Sequence, residues 1–272
     1  MVSASSSTQS EIPITSLPQM SDNSEILVSA RSYTVYDPAV RTVIFSKNPK
    51  LRISPASSIK ILTALVALDA YPLQQYLTVN TTASPDESKM GLYWGEEVNV
   101  ENLLYGLLLA SGNDAAKTLA GNFLGGSDMF VKAMNEKAKI IGLSESQFYD
   151  PSGYLDQNYS TASDLARLGA HAMQNEIIRR IVGTRNYVAH DKYGMAMHPL
   201  VNLNELLINP NVTGIKTGFT NEAGGVLITN YVHEGRNLII VVMKSEDRFY
   251  DTRTIIDAIQ KRVTYSDIGA AL

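Results

Sequence analysis

The sequence predicts an α+β fold. Three observations carry the prediction. Strand-type alternation is confined to the two ends of the chain, helical periodicity fills the middle, and the two patterns do not alternate as strand–helix–strand units. The chain has 272 residues, 44% hydrophobic and 18% charged, enough to bury a substantial core in one large domain or two intimate ones. It contains no cysteine, which excludes disulfides, thiolate metal sites and a cysteine nucleophile. With 23 basic and 27 acidic residues the net charge is −4, so the chain carries no footprint for nucleic acid. The longest apolar stretches are Leu103–Ala110, broken by Tyr105 and Gly106, and Leu238–Met243. Neither approaches the roughly 20 residues that cross a bilayer, so no transmembrane segment is expected. The first residues show no charged and apolar regions of a signal peptide.

Residues 1–24 are rich in Ser, Thr, Pro and Gln and read as a flexible leader or linker. Ile26–Ser46 alternates β-branched and aromatic residues around Asp37-Pro38, which predicts a hairpin. Ser54-Pro55-Ala56-Ser57 opens a helix to about Ala70, with Pro55 in its first turn and Ser54 placed to cap it. Tyr71-Pro72 ends that helix. Helical periodicity runs from Val100 to Gly142, with breaks at Ser111-Gly112-Asn113 and Gly125-Gly126. A polar loop, Ser144–Tyr159, contains Asp150-Pro151-Ser152-Gly153. The Ser160–Asp164 stretch has capping-box spacing and starts a helix to about Gln174, followed by a short one near Asn175–Val182. Gly214–Thr220, Gly225–Tyr231 and Asn237–Lys244 read as strands, with a turn at His233–Arg236. Leu238–Met243 is continuously apolar, as a strand buried on both faces requires. A last helix runs from about Arg248 to Val263, and the early hairpin is expected to join the late strands in one antiparallel sheet.

Three short motifs carry chemistry. Ser57-Ser58-Ile59-Lys60 places a hydroxyl and an amine one helical turn apart, at a helix start where free N–H groups gather. A serine attacks only when a base takes its proton, and a lysine is that base only if burial or a nearby cation lowers its pKa. Read alone, Ser57 is a cap and Lys60 a solvated cation. Ser111-Gly112-Asn113 points a hydroxyl and an amide from a tight turn; read alone it is a connector with Asn113 as N-cap. Lys216-Thr217-Gly218 sets a cation and a hydroxyl on a strand whose glycine permits close approach of another backbone, a surface for an extended peptide ending in a carboxylate. Read alone it is an edge strand guarded by lysine.

The motifs occur together, in this order, each in the required local setting. As a set they resemble the serine β-lactamase and penicillin-binding protein superfamily, and within it the low-molecular-mass D-alanyl-D-alanine carboxypeptidases, serine peptidase family S11. Similarity extends through Phe148–Gly153 and Gly214–Thr220 and covers about Val28 to Val263. The resemblance implies a serine β-lactamase/DD-peptidase-like fold: an antiparallel sheet flanked by helices, with an inserted, mainly helical subdomain. Residues 25–272 would form the catalytic domain, with an α/β body at about 25–70 and 210–272 and the insert at about 75–205.

The resemblance further implies acyl transfer on a peptidoglycan stem peptide ending in D-Ala-D-Ala, with β-lactams acylating the same serine. Ser57 would be the nucleophile, Lys60 its general base and Ser111 a proton relay. Asn113 would hold Lys60 and the substrate amide. Lys216 would keep Lys60 neutral and attract the substrate carboxylate; Thr217 and Arg248 would anchor it. Gly218 would allow close approach, and the N–H groups of Ser57 and Phe219 would form the oxyanion hole. No cofactor or metal is implied. Such an enzyme acts outside the cytoplasm, its export signal or anchor removed. A β-lactamase of the same fold and a non-catalytic β-lactam or wall-peptide sensor are the alternatives.

Several matches read as decoys. Ser21-Asp22-Asn23 precedes the nucleophile, within the leader. Glu205–Asn209 imitates a β-lactamase element but lies too near Lys216, so a deacylating glutamate there is not expected. Phe219 stands where some family members carry histidine. His171, His190, His198 and His233 lack metal-ligand spacing.

Overall fold

The computed structural model describes residues 16–22 and 24–265. The chain begins with strand β1 (Pro18–Met20), then the hairpin β2 (Ser32–Asp37) and β3 (Thr42–Lys47). A 3-10 turn, Ala56–Ile59, leads directly into α1 (Lys60–Ala70). Strands β4 (Tyr76–Thr78) and β5 (Glu97–Asn99) form a ribbon that precedes α2 (Val100–Leu108), α3 (Asn113–Gly121), α4 (Gly126–Ile141), α5 (Ala162–Ala172) and α6 (Glu176–Val182). A second ribbon, β6 (Asn186–His190) with β7 (Met197–Val201), follows. Then come β8 (Val212–Thr220), β9 (Gly224–His233), β10 (Arg236–Ser245), α7 (Arg248–Arg262) and β11 (Val263–Tyr265).

The main sheet is antiparallel, in the order β3-β2-β10-β9-β8, so the early hairpin joins the late strands as expected. Its central strand explains its own sequence. Ile239, Val241 and Met243 belong to a core shared with α1, α2 and α5, whereas Leu238, Ile240 and Val242 belong to a core shared with α7. Side chains alternate across a strand, so a continuous apolar run requires cover on both faces. Helix α5 supplies part of that cover: a Cβ on Gly169 would lie 3.0–3.2 Å from Ile228, Ile239 and Ile215.

Two expectations need correction. The first catalytic-side helix does not use Ser54 as a cap: the turn opens at Pro55 without a side-chain cap bond, and Ser54 Oγ is buried without a partner. The segment read as a leader is structured in part, because β1 pairs with β11 in register Gln19↔Thr264. Asn23 of the decoy motif lies outside the described residues. The inserted segment is mainly helical and also contains both two-stranded ribbons, and its helix α5 packs directly on the main sheet. Chain order and spatial layer therefore do not coincide.

Candidate active site

Ser57 sits in the 3-10 turn, and Lys60 follows as the first residue of α1. Three residues of tight helix bring Lys60 Nζ to 2.7 Å from Ser57 Oγ. The same amine donates to Asn113 Oδ1 at 2.7 Å and to the Ser152 carbonyl at 2.7 Å. Lys60 is wholly buried, and this burial pulls its pKa down to about 7, against the opposing charges of Asp150, Glu87 and Asp114. Of the two causes the sequence allows, burial or a nearby cation such as Lys216, burial leads.

Ala56, immediately before Ser57, has φ 46°, a left-handed backbone that costs a non-glycine residue about 1 kcal/mol or more. Two close approaches hold the turn in that shape. A Cβ on Gly218 would lie 3.1 Å from Ala56 Cβ, the Pro55 carbonyl and Ser57 N, so β8 runs directly along the turn that carries Ser57. A Cβ on Gly153 would fall 2.0 Å from the Ala56 carbonyl oxygen.

Gly153 ends the Asp150–Gly153 loop, and this loop is the part of the site that residue type alone did not assign. Burial pushes Asp150 up, but hydrogen bonds from the Ser152 and Asn158 side chains and from backbone N–H groups outweigh it, holding its pKa below the usual carboxylate value. Asp150 thus ties the loop to itself. Thr63 Oγ1 donates to the Pro151 carbonyl at 2.6 Å, and the next carbonyl, Ser152, reaches Lys60.

Asn113 is the first residue of α3, and Gly112 is the N-cap position. The cap reading of Asn113 is therefore replaced: its side chain bridges Lys60 to Glu87, with Nδ2 donating to Glu87 Oε1 at 3.2 Å. Ser111 is buried in the α2–α3 turn with φ 59°, another left-handed non-glycine residue. The structure forms no hydrogen bond between its hydroxyl and either Ser57 or Lys60.

On the other wall, β8 is an edge strand whose outer backbone groups lack a sheet partner among the described residues. Lys216 is buried, and its amine donates to the Thr217 carbonyl at 3.0 Å. Burial, the charge of Lys60 and the charge of Arg248 all push its pKa well below the ordinary lysine value. Thr217 is buried and Phe219 exposes its ring. Arg248 opens α7, half-buried, with its guanidinium 4.7 Å over the Phe249 ring and its Nε without a hydrogen-bond partner. Burial lowers it, while Glu205 and Asp247 favour its charge.

A cleft of ≈ 510 Å³ is lined by Ser57, Asn113, Gly153 and Phe219, with Asp86, Asp156 and Glu222 on its wall; Lys216, Thr217 and Arg248 are not among its lining residues. A neutral amine aimed at a serine hydroxyl, beside an unpaired strand edge and two cations, can transfer an acyl group from a peptide whose carboxylate lies at the cationic end.

A sequence model of the D-alanyl-D-alanine carboxypeptidases, peptidase family S11, matches residues 19–247. The chain is 34% identical over 229 residues to the D-alanyl-D-alanine endopeptidase of Escherichia coli, covering 82% of this chain and 73% of that one. It is 36% identical over 208 residues to the D-alanyl-D-alanine carboxypeptidase DacF of Bacillus subtilis, covering 74% of this chain and 53%, about half, of that relative. Its fold matches the crystal structure of a D-alanyl-D-alanine carboxypeptidase from Mycobacterium tuberculosis with TM-score 0.81 and 31% identity, over 92% of this chain and 99% of that one.

Proposed function

The chain belongs to peptidase family S11, the D-alanyl-D-alanine carboxypeptidases, and on that premise we propose that it removes the terminal D-alanine from peptidoglycan stem peptides through an acyl-enzyme on Ser57. One observation carries the mechanism. Of the three oxygens around Lys60 Nζ, the Asn113 Oδ1 and Ser152 carbonyl oxygens can only accept. A neutral amine has two protons, and these two acceptors take both. Its lone pair is left for the third neighbour, Ser57 Oγ, which alone among them has a proton to give.

Ser57 Oγ attacks the penultimate carbonyl carbon while its proton passes to Lys60. The N–H groups of Ser57 and Phe219 receive the developing oxyanion. When the tetrahedral intermediate collapses, the C–N bond to the last D-alanine breaks. The proton held by Lys60 returns to the leaving amine through the Ser111 hydroxyl. Water then hydrolyses the ester and restores Ser57. The substrate carboxylate docks on Thr217, between Lys216 and Arg248, and supplies the counter-charge that buried Lys216 lacks in the free enzyme. β-Lactams, which present a reactive carbonyl and a carboxylate, acylate the same serine. Family membership favours this reading over a β-lactamase or a non-catalytic sensor. Its substrate places the enzyme outside the cytoplasm, and no helix among the described residues is long and apolar enough to cross a membrane.

The test is Ser57→Ala. This variant should release no D-alanine from a D-Ala-D-Ala peptide and take no covalent label from a fluorescent penicillin, while melting at the parent temperature. Persistence of either activity overturns the assignment.

A further inference from the structure

The segment 84–92 forms one wall of the cleft and is fastened to the start of α3 by three sets of bonds. The Asn113 N–H donates to the Ser88 carbonyl at 2.8 Å. The Asp114 carboxylate accepts from the N–H groups of Met90, Gly91 and Leu92 at 2.8–3.0 Å. The third set centres on Glu87, a buried carboxylate that no step above uses. It accepts from Asn113 Nδ2 at 3.2 Å, from the Ser84 N–H at 2.7 Å, and from Lys117 Nζ at 3.0 and 2.7 Å. A carboxylate has about four lone-pair sites, and here all are occupied. Glu87 is therefore not poised to take a proton from water, although it lines the cleft beside Ser57.

Its bond to Asn113 has a chemical consequence. An amide presents an acceptor at one end and donors at the other. With Nδ2 held by Glu87, Oδ1 must face Lys60, where it takes one amine proton and leaves the lone pair to Ser57. Turned over, the amide would aim N–H groups at that lone pair and compete with the Ser57 hydroxyl. We propose that Glu87 is a positioning residue for acylation: it selects which end of Asn113 faces Lys60 and, together with Lys117, sets the charge around that amine. This rests on the acyl-enzyme reading above.

The charged groups facing Lys60 come from four directions: Asp150 from its loop, Glu87 from the 84–92 segment, Asp114 and Lys117 from α3, and Lys216 from β8. Glu87 favours the ammonium form of Lys60 and Lys117 disfavours it. Substitutions of the two partners should therefore displace the pH profile in opposite senses, which loss of fold or of packing would not do.

The experiment is acylation by a fluorescent penicillin, followed from pH 5 to 9, with melting temperatures for every variant. Glu87→Gln keeps an acceptor for Asn113 but loses the charge; its midpoint should fall by roughly half a pH unit. Lys117→Met leaves Glu87 charged and unpaired; its midpoint should rise by a similar amount. Glu87→Ala frees the amide and should slow acylation ~10- to 100-fold at every pH, with Glu87→Gln recovering most of the rate at high pH. Midpoints that stay at the parent value, or move in the same direction, overturn the proposal even if Glu87→Ala fails to fold. Unlabelled Ser57→Ala with unmoved midpoints removes only the role of Glu87, whereas labelled Ser57→Ala brings down the acyl-enzyme reading itself.

Discussion

Lys60 has no solvent around it and three oxygens at 2.7 Å, and this loss of water is the main cause of its lowered pKa, against the pull of the nearby carboxylates. With its pKa lowered to about 7, the neutral fraction rises as pH rises through that value. The base is the neutral form, so acylation should climb roughly tenfold per pH unit below the midpoint and level off above it. Stopped-flow labelling by penicillin between pH 5 and 9 checks this, and a flat profile from 6 to 9 removes Lys60 as the base. The same residue shows what a motif can and cannot convey. Ser57, Lys60, Asn113 and Lys216 were legible because spacing within a helix or strand brings side chains of the right chemistry into view. Their environment was not. Burial of Lys60 depends on α1, α3 and a loop ninety residues downstream, and Glu87 acts through an amide that belongs to another element.

The Asp150–Gly153 loop makes the same point for elements. Besides the charge of Asp150, it gives Lys60 the Ser152 carbonyl, a group every residue possesses, so no side-chain pattern could announce that bond. Its glycine was visible but not its reason: at φ 77°, Gly153 lies where a Cβ would meet the Ala56 carbonyl oxygen at 2.0 Å. Gly153→Ala should push the loop away from the nucleophile's turn and lengthen the Ser152–Lys60 bond. The strain of such overpacking, roughly 1–3 kcal/mol, should lower the melting temperature by several degrees. Acylation should fall at least ~10-fold. Labelling kinetics at the parent rate would mean that the loop does not hold Lys60. Where caps are local, the elements were legible: Asn175 accepts from Ile177 and Ile178 N–H groups at the start of α6, and Thr161 accepts from Asp164 N–H at the start of α5. The ribbons β4–β5 and β6–β7 were missed because their strands are only three to five residues long, and because the buried positions of β7 are His198 and Leu200 around Pro199, which do not read as an apolar alternation.

Across the whole molecule, the sheet lies between two cores, and the site lies where the β8 edge meets the turn before α1 and the start of α3. The α+β class was legible because strand and helix patterns are segregated along the chain. The docking of α5 onto the sheet was not, since an amphipathic helix does not say which apolar surface it will cover. Nor was the fastening of the N-terminal segment to the far end of α7. There β1 pairs with β11, the Ser21 N–H donates to the Arg262 carbonyl at 2.9 Å, and Arg236 donates to Ser16 Oγ at 2.8 Å. Arg248 opens the same 15-residue helix. At about 1.5 Å per residue, the ribbon is therefore roughly 20 Å from the carboxylate anchor. Deleting residues 1–24 should then separate stability from catalysis. The loss of a few exposed backbone and side-chain bonds, about 1–2 kcal/mol in all, should lower the melting temperature by ~2–8 °C. The penicillin acylation rate should stay within about twofold of the parent, because no site residue contacts the ribbon. A collapse of acylation at unchanged melting temperature would show instead that the N-terminal segment reaches the cleft and belongs to the catalytic unit.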